Sequence, residues 1–114
     1  MIHSAPKPVV WVGSSLRDMR MLPEPAQNKL GHLLERVQSG ETPHGSKSMR
    51  SVGNGVMELR AQVAGAFRLI CIMRLAEAIY VLHVFQKKSE KTSMLDLQLA
   101  RVRYQAIFRE REEL

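Results

Sequence analysis

Cysteine is nearly absent from this chain of 114 residues: Cys71 stands alone in an apolar run. No internal disulfide can form, and a buried, inert thiol in a reducing compartment is the natural reading. With no second cysteine, and with His3, His32, His44 and His83 lacking paired ligand spacing, a zinc site is not expected. Long apolar runs are missing too. None approaches the roughly 18 residues that a membrane span needs. Residues 1–8 do not read as a secretory signal, so a cytoplasmic location with no membrane partner is expected. There is no Walker or dinucleotide glycine loop, since Gly53-Asn54-Gly55 is too short and leads into a strand. There is no Gly-x-Ser-x-Gly elbow either, and Ser14 and Ser15 read as helix caps.

Acidic residues are scarce in the middle. Between Lys47 and Lys91 eight basic residues face three acidic ones, Glu58, Glu77 and Glu90, within a net charge of +6. A basic centre points to a polyanion, phosphate above all. Composition alone fits an inert basic surface equally well.

What is present reads as one domain over 1–114 with a single core. Residues 9–12 form a short β-branched strand. A short helix follows to Leu22, with Leu16, Met19 and Leu22 inward. Pro23-Glu24-Pro25 ends it and opens a second helix, whose stripe is Ala26, Leu30, Leu33, Leu34 and Val37, with Gly40 as its stop. Residues 41–54 are a polar loop with room for a short strand near 48–52. Three strands follow at 56–62, 66–74 and 78–86, then a helix capped by Thr92 or Ser93 with Asp96 in its first turn. Its stripe is read as Leu95, Leu99, Val102 and Ala106, and 109–114 is expected to fray. The order β-α-α-β-β-β-α is α+β: a small antiparallel sheet with helices packed on one face.

Turn lengths set the register. A three-residue loop at 63–65 places Arg60 opposite Arg68. A two-residue turn at 75–76 places Arg68 opposite His83. Alternation then adds Phe85 and Lys87 to the same face. A strand-end cluster of Lys87, Lys88 and Lys91 adjoins it.

Such a face suits RNA cleavage without metal or other cofactor. The ribose 2′-hydroxyl attacks the adjacent phosphate; a base takes its proton, an acid protonates the leaving oxygen, and cations hold the growing charge. Arg60 and Arg68 fit the phosphate clamp. Lys87 or Lys88 can bind phosphate or act as acid, His83 or Glu58 as base, and Phe85 can stack on a splayed base. Each has a plainer counterpart: His83 and Phe85 as core, Glu58 as the partner of an arginine, the lysines as a solvated strand end.

Several segments together resemble a known family. They are Trp11-Val12-Gly13-Ser14-Ser15, Gln38-Ser39-Gly40 with Lys47, Met57-Glu58-Leu59-Arg60, Phe67-Arg68, Leu82-His83-Val84-Phe85-Gln86-Lys87-Lys88, Lys91-Thr92 and Ala100-Arg101. Over residues 9–103 the chain resembles the phage-derived HigB-like branch of the RelE/ParE toxin superfamily. The resemblance implies a RelE- or microbial-ribonuclease-like fold and a bacterial or phage type II toxin. It further implies an endoribonuclease, or mRNA interferase, that cuts mRNA on the ribosome and arrests translation. It implies Arg60, Arg68, Lys87 and Lys88 as catalytic cations, with Lys47 on the RNA; Lys91, in the strand-end cluster, is read as RNA-binding beside them. The implied partner is a cognate antitoxin, a helix-turn-helix protein from the adjacent gene. Ser93 and Met94 stand where RelE toxins place a tyrosine after the lysine pair, so His83 takes the place of base in this reading. Two other functions compete: a ParE-like toxin that binds DNA gyrase without cutting RNA, and a nucleic-acid-binding module without chemistry, marked by steep salt dependence.

Overall fold

The computed structural model describes residues 5–113. Strand β1 (Val9–Trp11) leads through helices α1 (Ser15–Arg20) and α2 (Glu24–Gln38) to strands β2 (Lys47–Ser48), β3 (Val56–Gln62), β4 (Ala66–Ile72) and β5 (Ile79–Lys87), and helix α3 (Met94–Glu113) closes the chain. The class is α+β, as the pattern of elements implies. The sheet is mixed rather than purely antiparallel. Its order is β1-β5-β4-β3-β2, and β1 lies parallel to β5. That pairing joins residues about seventy positions apart, a distance over which local periodicity carries no information.

Helix α2 forms where expected. Leu30, Leu34 and Val37 are buried against Leu59, Leu69 and Cys71 of the sheet. The helix stops at Gly40, whose φ of +91° lets the Glu41 N–H reach the Arg36 carbonyl at 3.0 Å. A side chain would resist that left-handed turn. Ser14 and Ser15 do not cap α1 through their hydroxyls. Ser14 donates to Asp18 at 2.7 Å, and the buried Ser15 donates to the Val81 carbonyl at 3.2 Å, which pins α1 to β5.

Helix α3 differs from expectation in two ways. It covers the opposite face of the sheet from α1 and α2, so the sheet is sandwiched between helices. Its inward stripe is Leu97, Ala100, Tyr104, Ile107 and Phe108, packed with Val56, Ile70, Ile72 and Leu82. The other apolar series points out: Leu95 is 78% exposed and Val102 62%. Both series have helical spacing, and polar anchors decide between them. Arg103 donates to the Leu82 carbonyl at 2.7 Å and to Ser14 at 2.9 Å, and Arg101 donates to the Ser51 carbonyl at 2.6 Å. The Tyr104 ring lies so close over Gly53 that a Cβ there would collide with it. The last turns stay helical because Arg111 pairs with Glu77 at 2.9 Å and lies over the Phe108 ring. Ile107→Ala is therefore expected to cost about 2–5 kcal/mol in chemical denaturation. Leu95→Ser should change stability by less than about 0.5 kcal/mol. The reverse order of effects would mean that the helix is rotated.

The register that builds the site depends on a bulge. Arg60 faces Arg68, as the three-residue loop requires. The β4–β5 connection is longer than two residues, running from Ile72 to Ile79, and pairs Ile72 with Tyr80. Continued unbroken, that register would turn His83 and Phe85 toward α2. Instead Ile70 pairs with His83 while Cys71 pairs with Val81, and Leu82 is left without a partner. Two residues oppose one, the strand regains its parity, and Phe85 and Lys87 return to the face of Arg60 and Arg68. Arg68 then faces Phe85, not His83.

Candidate active site

Alternation along β3 places Glu58 and Arg60 on the face that carries α3, and pairing adds Lys47 and Arg68 from the flanking strands. Helix α3 shields one half of this face. The other half, past its N-terminus, opens as a cleft of about 500 Å³. Lys47, Arg50, Arg60, Lys87 and Lys91 line it, against Glu58 and Glu90.

Glu58 sits at the centre. Its side chain is 2% exposed, and Oε1 accepts from Arg60 Nε at 3.1 Å. The Arg68 Nε lies 3.5 Å from the same oxygen, an ion pair without hydrogen-bond geometry. The second oxygen, Oε2, is buried with no partner among the described residues. Arg68 is 7% exposed, and its Nη1 donates to the Phe67 carbonyl at 3.0 Å. Loss of water around the guanidinium lowers its pKa, Glu58 opposes that shift, and Arg60 adds to it. Glu58 and Arg68 thus share a nearly dry floor, where electrostatic forces are stronger than in water, and Arg60 reaches Glu58 from the solvent-exposed side of the cleft.

His83 is placed differently from the expectation that it serves as base. It lies under the N-terminus of α3, 6% exposed, and lines neither the cleft nor the smaller cavity beside it. Its Nε2 is 2.6 Å from Asp96 Oδ1, and since a carboxylate only accepts, that nitrogen is the donor. Ser93 donates to the other Asp96 oxygen and receives the Asp96 N–H at 3.1 Å, so the expected cap of the helix doubles as a tether to β5. His83→Gln, which keeps a donor for Asp96, should leave the pH–rate profile of the protein's activity unaltered. A flattened profile would restore the histidine to the chemistry.

Phe85 does not offer a stacking platform. It is 8% exposed, and its ring stacks on His83 at 4.8 Å between centroids. Lys87 lines both the main cleft and the neighbouring cavity of about 220 Å³, whereas Lys88 lines the neighbouring cavity and not the main cleft. Lys91 borders both. The cleft therefore gathers Lys47, Arg60, Lys87 and Lys91 above Arg68, and leaves out His83, Phe85 and Lys88. Arg50, on the cleft wall, was not singled out from sequence, although its place three residues after Lys47 in a polar loop was a usable signal. Cys71 is fully buried, its thiol pushed up to about 12 by that burial, and takes no part.

A family model described as "Phage derived protein Gp49-like (DUF891)" matches residues 17–105, a span that holds every side chain of the cleft. The chain belongs to the Gp49-like family. That family is toxin-like, of the RelE/HigB type, and membership is consistent with the toxin of a toxin–antitoxin pair. The sheet with its packed helices in this Gp49-like protein is consistent with a RelE-like fold. No curated protein matches the chain significantly. Among the described residues no helix is long and apolar enough to cross a membrane.

Proposed function

We propose that this Gp49-like protein is the toxin of a type II toxin–antitoxin system: a cytoplasmic endoribonuclease that cuts mRNA on the ribosome. One observation carries the reading. Glu58 is buried between Arg60 and Arg68 on the floor of a basic cleft, with one carboxylate oxygen unpartnered. RNA cleavage by its own 2′-hydroxyl calls for a base and for cations side by side.

In this mechanism Lys47, Arg50 and Lys91 hold flanking phosphates along the rim. Arg60 and Arg68 bear on the scissile phosphate from below. Glu58 Oε2 takes the 2′-hydroxyl proton as the oxygen attacks phosphorus. Charge building on the phosphoryl oxygens is met by the two guanidinium groups, which are already oriented. Lys87 gives a proton to the departing 5′-oxygen. The products are a 2′,3′-cyclic phosphate and a 5′-hydroxyl. Glu58 replaces His83 as base because Glu58 borders the cleft beside both arginines, whereas the histidine is tied to Asp96 outside it.

A cleft of this kind harms its host unless it is covered, so a cognate antitoxin encoded beside the gene is part of the proposal. Induction of the chain in bacteria should arrest growth, with mRNA cut within translated regions. Co-expression of the adjacent gene should restore growth. Normal growth at a level where the chain is soluble would overturn the toxin reading. Arrest with intact mRNA would overturn the nuclease.

A further inference from the structure

The smaller cavity beside the cleft lies between the end of β5 and the start of α3, and three lysines line it. Lys87 and Lys91 border both spaces, so the two meet at these residues, while Lys88 belongs to the smaller one alone. The other polar groups of its wall are largely engaged. Ser89 donates to the Lys91 carbonyl at 2.8 Å, and Asp96 is held through one oxygen by His83 and through the other by Ser93. None of the three ammonium groups has a carboxylate within ion-pair distance among the described residues. Glu90, the exposed carboxylate of the same loop, lines the cleft and not this cavity. Three cations thus converge on a space whose one carboxylate is tied elsewhere, and an anion between them relieves their mutual repulsion.

We propose that this cavity holds a backbone phosphate of the RNA, the one next after the scissile phosphate on the leaving side of the cut, with Lys88 as its cation. The inference rests on the cleavage reading above and extends it by one nucleotide. Lys87 sets the direction. It gives the proton to the departing 5′-oxygen, so the strand that carries this oxygen runs past Lys87, and the space beyond is the cavity. The wall favours phosphate over base. The Phe85 ring is buried and stacked on His83, so it offers no face to a base, whereas an ammonium meets phosphate oxygens as a point charge. The size agrees: about 220 Å³ far exceeds the ~30 Å³ share of a single water and admits a phosphodiester. The loop that carries Lys88 and Lys91 is fastened on one side by β5 and on the other by the His83–Asp96 contact at 2.6 Å. Less order therefore has to be imposed when the anion binds. A phosphate held there keeps the strand in register without reading its sequence.

Single-turnover cleavage of ribosome-bound mRNA, with the chain in excess over a concentration series, tests the inference. The RNA carries natural linkages, or one uncharged methylphosphonate at the first phosphate 3′ to the cut, or the same group at the first phosphate 5′ to it as a control. On natural RNA, Lys88→Ala should raise the half-saturating concentration about fivefold, the effect of one partly exposed ion pair. Lys88→Arg should restore it. The maximal rate of Lys88→Ala should fall far less than that of Lys87→Ala, which removes the acid. The uncharged 3′ linkage should weaken the wild-type chain by a similar factor and the Lys88→Ala chain no further, because both changes remove one contact. Three results would overturn the inference and leave the nuclease in place. They are a maximal rate lost as deeply as in Lys87→Ala, coupling of Lys88 to the 5′ linkage instead, and losses that multiply, which would assign the lysine to a phosphate of the ribosome. No cleavage of natural RNA by the wild-type chain would overturn the nuclease itself, and the inference with it.

Discussion

Arg68→Ala is expected to slow RNA cleavage by about 10²–10³-fold, the usual result of losing one pre-oriented donor to a charge that grows in the transition state. Its position explains why. The guanidinium is held in a nearly dry floor by the Phe67 carbonyl and by Glu58, so little reorganisation is needed when phosphorus gains charge. The same burial gives the variant a second effect. Glu58 loses one of two cations, and breaking a buried ion pair costs about 3–5 kcal/mol when nothing compensates. Arg60 remains at 3.1 Å, so the expected loss lies at or below the low end of that range. In the proposed mechanism Arg68 thus has a structural part beside its catalytic one, because it is buried against Glu58. Urea unfolding beside a single-turnover cleavage assay separates the two effects. Arg68→Lys keeps the charge but not the planar fork, and should recover more stability than rate.

Glu58→Gln should cost about 10²–10⁴-fold in cleavage, the range associated with removing a positioned base. The amide fills the same space and still accepts through its oxygen, so the backbone of β3 has no reason to move. What changes is charge: the amide cannot take the 2′-hydroxyl proton, and two guanidinium groups face each other with no anion between them. Reduced stability is expected as well. Binding of uncleavable RNA should persist, because the floor gains positive charge and the rim cations are untouched. Cleavage at the native rate in Glu58→Gln would reduce the carboxylate to a structural counter-ion and reopen the identity of the base.

The parts of this site differ in how far they could be read from sequence. Arg60 opposite Arg68 follows from a short loop and strict alternation, and both are local properties. His83, Phe85 and Lys87 fall on the expected face for a reason that the sequence hides: the connection is longer than the short turn suggests, and the bulge at Leu82 restores the parity that it would have lost. The hold of Asp96 on His83 is hidden from sequence because that partner lies across a helix junction. The plainer alternatives held for His83 and Phe85, which are buried, and for Glu58, which does pair with its arginines. Helix α3 shows the limit of periodicity. Two apolar series fit one helix equally, and Arg103, Arg101 and the Tyr104 ring over Gly53 choose between them through contacts distant in the chain.

The account rests on attack by the ribose 2′-hydroxyl within the Glu58–Arg60–Arg68 floor. The most direct test uses a ribosome-bound mRNA cut by the wild-type chain, with deoxyribose replacing ribose at the single nucleotide 5′ to the cut. The account predicts no cleavage at that bond and a 2′,3′-cyclic phosphate on the product of the all-ribose control. Cleavage of the deoxy-substituted bond at the control rate would contradict it.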